Sequence, residues 1–509
     1  MKSNPTDASR RAFLKSAAIG VAACAAGERA EAEASARLPR THPEALGIDP
    51  AALVAFLTAV DAKPGGMHSF MLLRHGQVAA EGWWKPYAPA HTHMLFSLSK
   101  SFTSTAVGLA VSEGLLNVED RVVSFFPDKL PATMDKNLAE MRVRHLLTMA
   151  TGHDVDATGP TRAQPDGDWV RGFLALPVEH APGSKFVYNS AATYMLSAIV
   201  QKRSGKRVLD YLMPRLFAPL GIEGPTWETC PQGIDTGGWG LSVKTEDIAR
   251  FGQLSLQKGH WNGRQVVPQN WVEEATRRHV SNGDPASPSD WSQGYGYQFW
   301  RCRHEAYRGD GAFGQFCVVM PDQDAVLAIT SGTGDMQAIL NAAWEHLLPG
   351  MKPAALSLGA AGKELPHLLG RLAITLPEGH ATSPRAAEFS GKTFHFAPND
   401  LKIQSIALNF DRDRCHVTLQ TEQGIQQREY GNKSWIEGEA SLEGTPSKKV
   451  VGRGTWTAED TFTGTLCFYE TPFTQTATCA FAHDQVTVTM RRNVGFGSTE
   501  HPPLVGRSA

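Results

Sequence analysis

The spacing of hydrophobic and polar residues changes several times along this chain. Ser69–Arg74 and Gln77–Trp84 have the pattern of two strands, and His75-Gly76 between them is typical of a tight turn. From Ser97 onward, apolar residues recur at three- and four-residue steps, which predicts a helix ending near Gly114. Further helices are predicted at Val143–Met149, Ala191–Val200 and Thr245–Leu256.

Strand patterns return in the second half of this region and are followed by one more helix. Asp335 is placed to cap that helix, which would bury Met336, Ile339, Leu340 and Leu347. Strands at both ends of the region, with helices between them, predict one sheet assembled from distant segments beside a helical insertion. The later strands are predicted at Gly294–Arg303, Tyr307–Gly311, Phe313–Met320 and Ala325–Thr330.

The last third of the chain has a different pattern. Pro349–Lys363 is rich in Pro, Gly, Ala and Ser, which is typical of a linker. Strict alternation of apolar residues follows, with His483-Asp484-Gln485 as a hairpin turn, and it predicts a small antiparallel barrel or sandwich with a structural or access-limiting role. The alternating sets are Cys415/Val417/Leu419, Phe462/Leu466/Phe468, Ala477/Cys479/Phe481 and Val486/Val488/Met490.

Composition narrows the class of protein. A chain of 509 residues with 42% hydrophobic residues can form two or three domains with large cores. Its 49 basic and 51 acidic residues give a net charge of −2, which excludes the general electrostatic footprint of a nucleic-acid binder. After the N-terminal region, no segment reaches 18 uninterrupted apolar residues, so no membrane span is predicted.

The N-terminus has the order of an export signal. Ser9–Lys15 resembles a twin-arginine signal, an apolar stretch runs from Ser16 to Gly27, and Ala34-Ser35-Ala36 offers a cleavage site. Val21-Ala22-Ala23-Cys24 also resembles a lipoprotein box, which would leave a lipid anchor on Cys24. We therefore expect a periplasmic or secreted protein.

The six cysteines after the predicted export signal show no C-x-x-C pair and no clustering with histidine, which argues against a structural zinc site. Export permits disulfides, but a twin-arginine substrate folds in a reducing compartment, so free thiols are an equal expectation. The sequence leaves pairing open for Cys230, Cys302, Cys317, Cys415, Cys467 and Cys479.

Ser97-Leu98-Ser99-Lys100 lies where the long helix is predicted to start. A serine hydroxyl needs a base within hydrogen-bond reach, and residues three apart share a helix face, so Lys100 would point at the Ser97 oxygen. The helix N-terminus would also direct the Ser97 amide at developing negative charge. Ser255-Leu256-Gln257-Lys258 has the same spacing and is interpreted as the end of an ordinary helix.

Two further motifs carry candidate chemistry. Tyr188-Asn189-Ser190 precedes an apolar helix, and a tyrosine beside a lysine can move protons if its pKa falls toward that of its partner. Tyr307–Gln315 contains glycines at 309, 311 and 314, which would let a substrate approach a strand edge. Alone, the first motif is more typical of a buried tyrosine that ends a loop, and the second fits a common glycine-rich hairpin.

The order and spacing of the three motifs resemble the serine β-lactamase/penicillin-binding superfamily. The class C β-lactamase-like branch, with its esterases, D-aminopeptidases and 6-aminohexanoate-oligomer hydrolases, is the nearest likeness, over approximately Leu46 to Leu348. It implies an α/β (α+β) fold class, with an antiparallel sheet flanked by helices and an all-helical insertion, followed by a C-terminal antiparallel β-barrel or sandwich. Supporting stretches are Phe96–Thr103, Gly237–Ser242 and Asp247–Phe251.

The resemblance also implies roles. Ser97 would form an acyl-enzyme, Lys100 and Tyr188 would act as a coupled base and acid, and the amides of Ser97 and Ala312 would form the oxyanion hole. No metal or cofactor is implied, the substrate would be a small molecule or short peptide-like compound, and the oligomeric state stays open. Ser190, Gly309, Asp310 and Gly311 would line the substrate groove. The expected domains are a signal peptide (1–36), a hydrolase domain (37–350), a linker (351–365) and a β-rich domain (366–509).

Two departures from the family pattern bear on the substrate. Ser190 stands where the β-lactamases have asparagine, and Asn189 precedes it. Gly309 stands where the family has Lys or His, a cation that would hold a substrate carboxylate, unless Arg308 or Arg303 compensates. The sequence therefore favours a hydrolase for a less anionic amide or ester. The alternatives are a β-lactamase or D-amino-acid-specific peptidase, and a catalytically inactive scaffold protein.

Overall fold

The computed structural model describes residues 37–63, 65–357, 359–441 and 447–508. The predicted export signal and Cys24 lie outside these residues. Residues Thr41–Ala509 form one compact unit. Among the helices so described, none combines the length and apolar character needed to cross a membrane.

The longer helices are α1 (Pro50–Ala62), α2 (Ser99–Ser112), α3 (Ser190–Ser204), α4 (Thr245–Leu256), α5 (Gln269–Thr276) and α6 (Ala360–Arg371). Shorter helices and helical turns lie at Pro43–Leu46, Phe96–Leu98, Val122–Phe125, Pro127–Lys129, Lys136–Glu140, Val143–Leu147, Thr158–Arg162, Trp169–Leu174, Val208–Leu212, Met213–Phe217, Ala218–Leu220, Pro321–Gln323, Met336–Ala342, Ala343–Leu347, Leu348–Gly350 and Ala386–Phe389.

The strands of the mixed α/β part are β1 (Met67–Arg74), β2 (Gln77–Trp83), β3 (His93–Met94), β4 (Thr226–Trp227), β5 (Leu241–Val243), β6 (His260–Trp261), β7 (Arg264–Gln265), β8 (Trp300–Arg301), β9 (Tyr307–Gly311), β10 (Gln315–Met320) and β11 (Ala325–Ser331). Those of the C-terminal part are β12 (Thr393–Phe396), β13 (Ile403–Phe410), β14 (Arg414–Thr421), β15 (Gly424–Gly431), β16 (Ile436–Ala440), β17 (Lys448–Ala458), β18 (Thr461–Cys467), β19 (Thr474–Ala482), β20 (Gln485–Arg492) and β21 (Leu504–Ser508).

Strands from both ends of the mixed α/β part form one antiparallel sheet, in the order β2-β1-β11-β10-β9-β8. This confirms the predicted assembly from distant segments. The hairpin of β1 and β2 turns at His75 and Gly76, whose φ angles of 51° and 73° are those of a turn that fits the twist of the strands.

The predicted strand Gly294–Arg303 is wrong over most of its length, because only Trp300–Arg301 pairs in the sheet. The backbone of Gln298 has a φ of 66°, and its amide donates to Leu147 O, in a segment of the helical insertion. Its hydrogen bonds are thus satisfied away from the sheet, which an alternating pattern of side chains does not reveal.

Helices cover both faces of the sheet. On one face α1 packs on alternate residues of β1, where Phe56 contacts Phe70 with ring centroids 6.2 Å apart. On the other face α4 lies so close that a Cβ on Gly252 would be 2.5 Å from Val326 Cγ1. The central helix α2 packs on α4, with Phe102 and Phe251 stacked at 3.9 Å. The sheet and α4 therefore fix the position of α2.

The C-terminal part is a closed nine-stranded barrel, which confirms the predicted β-rich fold. Its ring runs β15-β14-β13-β12-β21-β20-β19-β18-β17 and closes where β17 pairs with β15 at Gly431 and Arg453, while β16 extends it beside β17. The predicted hairpin turn is present, with His483 at a φ of 50°. The six cysteines of the described chain, at 230, 302, 317, 415, 467 and 479, are buried free thiols.

The segment between the two parts is partly helical. Residues 360–371, which the sequence analysis divides between the linker and the β-rich domain, form α6, and Leu365 is buried in the core beneath the sheet. The domain boundaries stay predictions.

Candidate active site

Ser97 lies in a helical turn, Phe96–Leu98, that leads into α2. Strand β9 runs so close to this turn that a Cβ on Gly311 would lie 1.9 Å from Leu95 O, so only glycine fits there. The Ser99 hydroxyl donates to Phe96 O at 2.6 Å and accepts from the Leu241 amide at 3.1 Å. These contacts hold Ser97 at the start of α2, as the sequence predicts.

Lys100 lies one turn along α2 and is almost completely buried, with 1% of its surface exposed. Its Nζ is 3.0 Å from Ser97 Oγ, 2.9 Å from Ser190 Oγ and 2.7 Å from Gly238 O. A neutral amine has two N–H groups and one lone pair. It can donate to Ser190 and Gly238 while accepting the proton of Ser97.

The environment favours that neutral form. Burial lowers the pKa of Lys100 to about 7, although Asp156 and Asp310 partly oppose this shift. Near neutral pH, a substantial fraction of Lys100 is therefore an unprotonated amine within reach of the Ser97 hydroxyl.

Tyr188 completes the group. Its hydroxyl is close enough to Ser97 that this serine partly offsets the rise in the pKa of Tyr188, and Lys100 Nζ lies 4.9 Å from the centre of its ring. The ring stacks on Trp300 at 5.2 Å. Burial, and secondarily the charge of Asp310, raise the pKa of Tyr188 well above its ordinary value. Its pKa thus moves away from that of Lys100, and Tyr188 is a neutral phenol that holds its proton.

Asn189 and Ser190 form the start of α3. The Asn189 side chain caps this helix by accepting from the Ala191 amide at 3.1 Å. The Ser190 backbone amide donates to Asp156 Oδ1 at 3.1 Å, and the Ser190 hydroxyl accepts a hydrogen bond from Lys100 Nζ. The serine that departs from the family pattern therefore still contacts the lysine.

The Gly237-Gly238 pair explains part of the supporting stretch Gly237–Ser242. Gly237 has a φ of 66°, and a Cβ on Gly238 would lie 2.9 Å from Ser190 O. Only glycine brings the Gly238 carbonyl this close to Lys100. The stretch resembles the family in sequence, but its contact with Lys100 is not apparent from the sequence.

Strand β9 presents alternate residues to two sides. Asp310, and Ala312 just beyond the strand, line the same cavity as Ser97, Tyr188 and Ser190. Gly309 and Gly311 face α2 instead, since a Cβ on Gly309 would lie 2.5 Å from both Leu98 Cδ1 and Ser101 Oγ. The structure therefore brings the predicted groove residues Ser190 and Asp310 to the cavity and directs the two glycines away from it.

Arg308 and Arg303, the two candidates to replace the family's strand cation, are both paired with aspartates. Arg308 is fully buried, and its Nε donates to Asp310 Oδ2 at 2.9 Å. Arg303 pairs with the buried Asp290 at 2.8 Å. Burial raises the pKa of Asp310, although Arg308 opposes the shift. At this place the cavity meets a carboxylate rather than a cation.

Gln315 fixes the turn after β9, a role the sequence analysis did not assign. Its side-chain amide donates to Ala312 O at 3.0 Å and to Ser331 O at 2.7 Å. The Ser331 hydroxyl donates to Phe313 O at 2.7 Å. Together these bonds hold Ala312 where its amide can serve as an oxyanion donor. The only sequence signal for this role is that Gln315 is the last residue of the glycine-rich motif Tyr307–Gln315.

The cavity over Ser97 measures about 820 Å³, within the range of small-molecule sites. Its charged lining in the described chain comprises Asp156, Arg162, Glu228 and Asp310. Its aromatic lining comprises Phe96, Tyr188, Trp239, Trp291, Trp300, Phe473 and Phe496, of which Phe473 and Phe496 belong to the barrel.

Several known proteins are similar to this chain. The 6-aminohexanoate-dimer hydrolase of Paenarthrobacter ureafaciens is 28% identical over 285 residues, which are 52% of this chain and 73% of that protein. A β-lactamase of Escherichia coli strain K12 is 24% identical over 217 residues, 39% of this chain and 56% of its own length. The solved structure of the octameric penicillin-binding protein homologue from Pyrococcus abyssi is 16% identical, covers 90% of this chain and all of its own, and has a TM-score of 0.48.

The family model described as Beta-lactamase matches residues 56–347, more than half of the chain. The matched range includes every residue of the group around Ser97. The chain belongs to the β-lactamase family.

Proposed function

We propose that this protein is a serine hydrolase that cleaves an ester or amide through an acyl-enzyme on Ser97. One observation carries the proposal. Lys100 Nζ lies 3.0 Å from Ser97 Oγ and 4.9 Å from the centre of the Tyr188 ring, and Ser97 and Tyr188 line one cavity of suitable size. A nucleophile, a base and a proton donor in contact are the parts that acyl transfer needs.

The steps follow from the charge states. Neutral Lys100 takes the Ser97 proton while Ser97 Oγ bonds to the substrate carbonyl carbon, and the oxyanion accepts from the amides of Ser97 and Ala312. The bond to the leaving group then breaks, and Tyr188 gives that group its proton and is reprotonated by Lys100. In the second half, water loses a proton to the same pair and attacks the acyl carbon, which returns Ser97 Oγ–H and releases the acid.

The charge of the cavity supports the choice of substrate. A carboxylate-bearing substrate, such as a penicillin or a peptide C-terminus, would meet Asp310, the residue after the position at which the relatives have a cation. An uncharged ester or amide avoids this repulsion. The Paenarthrobacter relative is named as a hydrolase of the 6-aminohexanoate dimer, and this motivates an amide bond, beside an ester bond, as the bond cleaved here.

A substrate panel tests the proposal. Wild type, Ser97→Ala, Lys100→Ala and Lys258→Ala are assayed with nitrophenyl esters, linear aliphatic amides, benzylpenicillin and a D-Ala-D-Ala peptide. Lys258 is the matched control, because it belongs to the second S-x-x-K spacing and its exposed side chain pairs with Glu273 at 3.1 Å.

We expect turnover of esters or amides that falls by at least about 10³ in Ser97→Ala and Lys100→Ala and stays within twofold in Lys258→Ala. Turnover that survives Ser97→Ala would refute the mechanism. Faster turnover of benzylpenicillin or the peptide than of every ester and amide would refute the substrate assignment and select the β-lactamase or peptidase alternative. No turnover of any compound would favour the scaffold alternative.

We further propose that residues 1–36 direct export. Arg10→Lys with Arg11→Lys should retain the chain in the cytoplasm of a bacterial host, whereas the unchanged chain should reach the periplasm with Arg37 as its first residue. A mature chain that begins with lipidated Cys24 would instead establish an anchor. Equal periplasmic recovery of both chains would contradict twin-arginine export.

A further inference from the structure

Two loops of the barrel reach the cavity over Ser97. Phe473 lies in the loop between β18 and β19, and Phe496 lies in the loop between β20 and β21. Both side chains line the cavity together with Phe96 and Ser97. The barrel therefore forms part of the surface that a substrate contacts.

The two phenylalanines extend an aromatic cluster that flanks the oxyanion residues. Phe96 directly precedes Ser97, and Phe313 directly follows Ala312. The ring centroid of Phe496 lies 5.7 Å from that of Phe96 and 4.9 Å from that of Phe313. The ring centroid of Phe473 lies 6.2 Å from that of Phe96 and 5.7 Å from that of Phe313. These are normal aromatic packing distances. We call these four residues the phenylalanine wall.

Hydrogen bonds between the two parts hold the loops in place. The Met94 amide donates to Glu470 O at 2.9 Å. The Asn493 side-chain amide donates to Gly332 O at 3.0 Å and to Pro472 O at 2.8 Å, which links both loops to the end of β11. A wall fixed in this way binds an apolar group without a large cost in loop ordering.

Phe496 is 81% exposed despite its contacts with the wall. A large apolar side chain that remains exposed beside a reactive centre is typical of a binding surface. Met94 and Met336 add apolar lining to the same cavity.

The position of Tyr188 indicates which half of the substrate meets the wall. Tyr188 must reach the leaving atom to protonate it, and its ring packs on Trp300 and Tyr295. Phe473 and Phe496 pack on Phe96 and Phe313 instead. With the leaving group toward Tyr188, the acyl group extends toward the wall.

We infer that the barrel determines acyl specificity, with Phe473 and Phe496 binding an apolar acyl chain longer than acetyl. This inference rests on the proposed function. Each methylene that the wall removes from water should raise kcat/KM about fourfold.

The test measures kcat/KM for nitrophenyl acetate, butyrate and hexanoate. Wild type should prefer hexanoate over acetate by at least about tenfold. Phe496→Ala and Phe473→Ala should lower that ratio at least about fivefold, mainly through a higher KM for hexanoate. Phe496→Leu should restore most of the preference. Ile425→Ala is the matched control, because Ile425 is an exposed apolar residue of the barrel that does not line the cavity.

An unchanged hexanoate-to-acetate ratio in both alanine variants overturns the inference. So does an equal loss on both esters, which would mean that the phenylalanines only position the catalytic group. Esters hydrolysed without any chain-length preference leave the proposed function intact and refute the inference alone. A wild-type chain that hydrolyses none of the esters refutes the ester hydrolysis of the proposed function and this inference with it.

Discussion

Replacing Lys100 by methionine should abolish activity and change how stability depends on pH. Lys100 is almost completely buried, and its pKa falls from an ordinary value of 10.5 to about 7. At about 1.4 kcal/mol for each pH unit, a fall of this size means that folding opposes the charged form by about 4 to 5 kcal/mol. Methionine has a similar volume and carries no charge to bury.

The sign follows from proton counting. Between pH 7 and 10 the unfolded chain keeps the Lys100 proton while the folded chain has lost it, so this lysine makes the wild type more stable as the pH rises. Lys100→Met lacks this contribution. The free energy of unfolding of Lys100→Met minus that of wild type should therefore fall by about 2 kcal/mol from pH 7 to pH 9.

Urea unfolding at pH 7, 8 and 9, followed by tryptophan fluorescence, measures this difference. The constant cost of leaving Ser190 and Gly238 without their partner, about 1 to 3 kcal/mol for each group, cancels in the comparison between pH values. Lys258→Met is the control and should show no such slope, because its side chain is 59% exposed. A difference that stays constant from pH 7 to pH 9 would refute a neutral, desolvated Lys100.

Three further predictions concern the same site. As the pH increases, kcat/KM on an ester should rise around pH 7, where Lys100 loses its proton, and level off at higher pH. A value of kcat/KM that falls around pH 7 would contradict Lys100 as the base. Tyr188→Phe keeps the stack on Trp300, so its melting temperature should match wild type while kcat falls by about 10² to 10⁴ at similar KM, and a loss confined to KM would exclude a proton-transfer role. Asp310→Leu leaves the buried Arg308 guanidinium without its Asp310 carboxylate and should lower the free energy of unfolding in urea by about 3 to 5 kcal/mol. The double variant with Arg308→Met should recover most of this loss. Equal stability of the single variant and wild type would contradict the buried pair.

Local sequence patterns predicted the elements that carry Ser97 and Lys100. The bounds of α4 and β9 agree with the prediction at both ends. A clear helical period defines α4, whereas β9, whose five residues are all buried, is defined by the turn residues around it. Helix α6 was not predicted, since its first residues belong to the small-residue stretch Pro349–Lys363, which is typical of a linker, and Pro366 lies inside the helix. Its formation depends on Leu365 packing into the core, which is a tertiary effect.

The candidate site was predictable to the extent that its residues are close in sequence. Helical spacing brings Lys100 to Ser97, but the approach of Tyr188 followed only from the resemblance. The contact of Lys100 with Gly238, 138 residues away, depends on the packing of the Gly237-Gly238 loop against α2 and α3. The barrel phenylalanines lie further still along the chain, and no local pattern indicates that Phe473 reaches Phe96.

Active-site labelling tests the central claim most directly. The purified chain is treated with a fluorophosphonate at pH 8, and intact-mass analysis with peptide mapping locates the adduct. We predict one adduct, on Ser97, that is absent in Ser97→Ala, at least about 10²-fold slower in Lys100→Ala and unchanged in Lys258→Ala. Labelling of another serine, or equal labelling of Ser97 without Lys100, would contradict a nucleophile activated by this lysine.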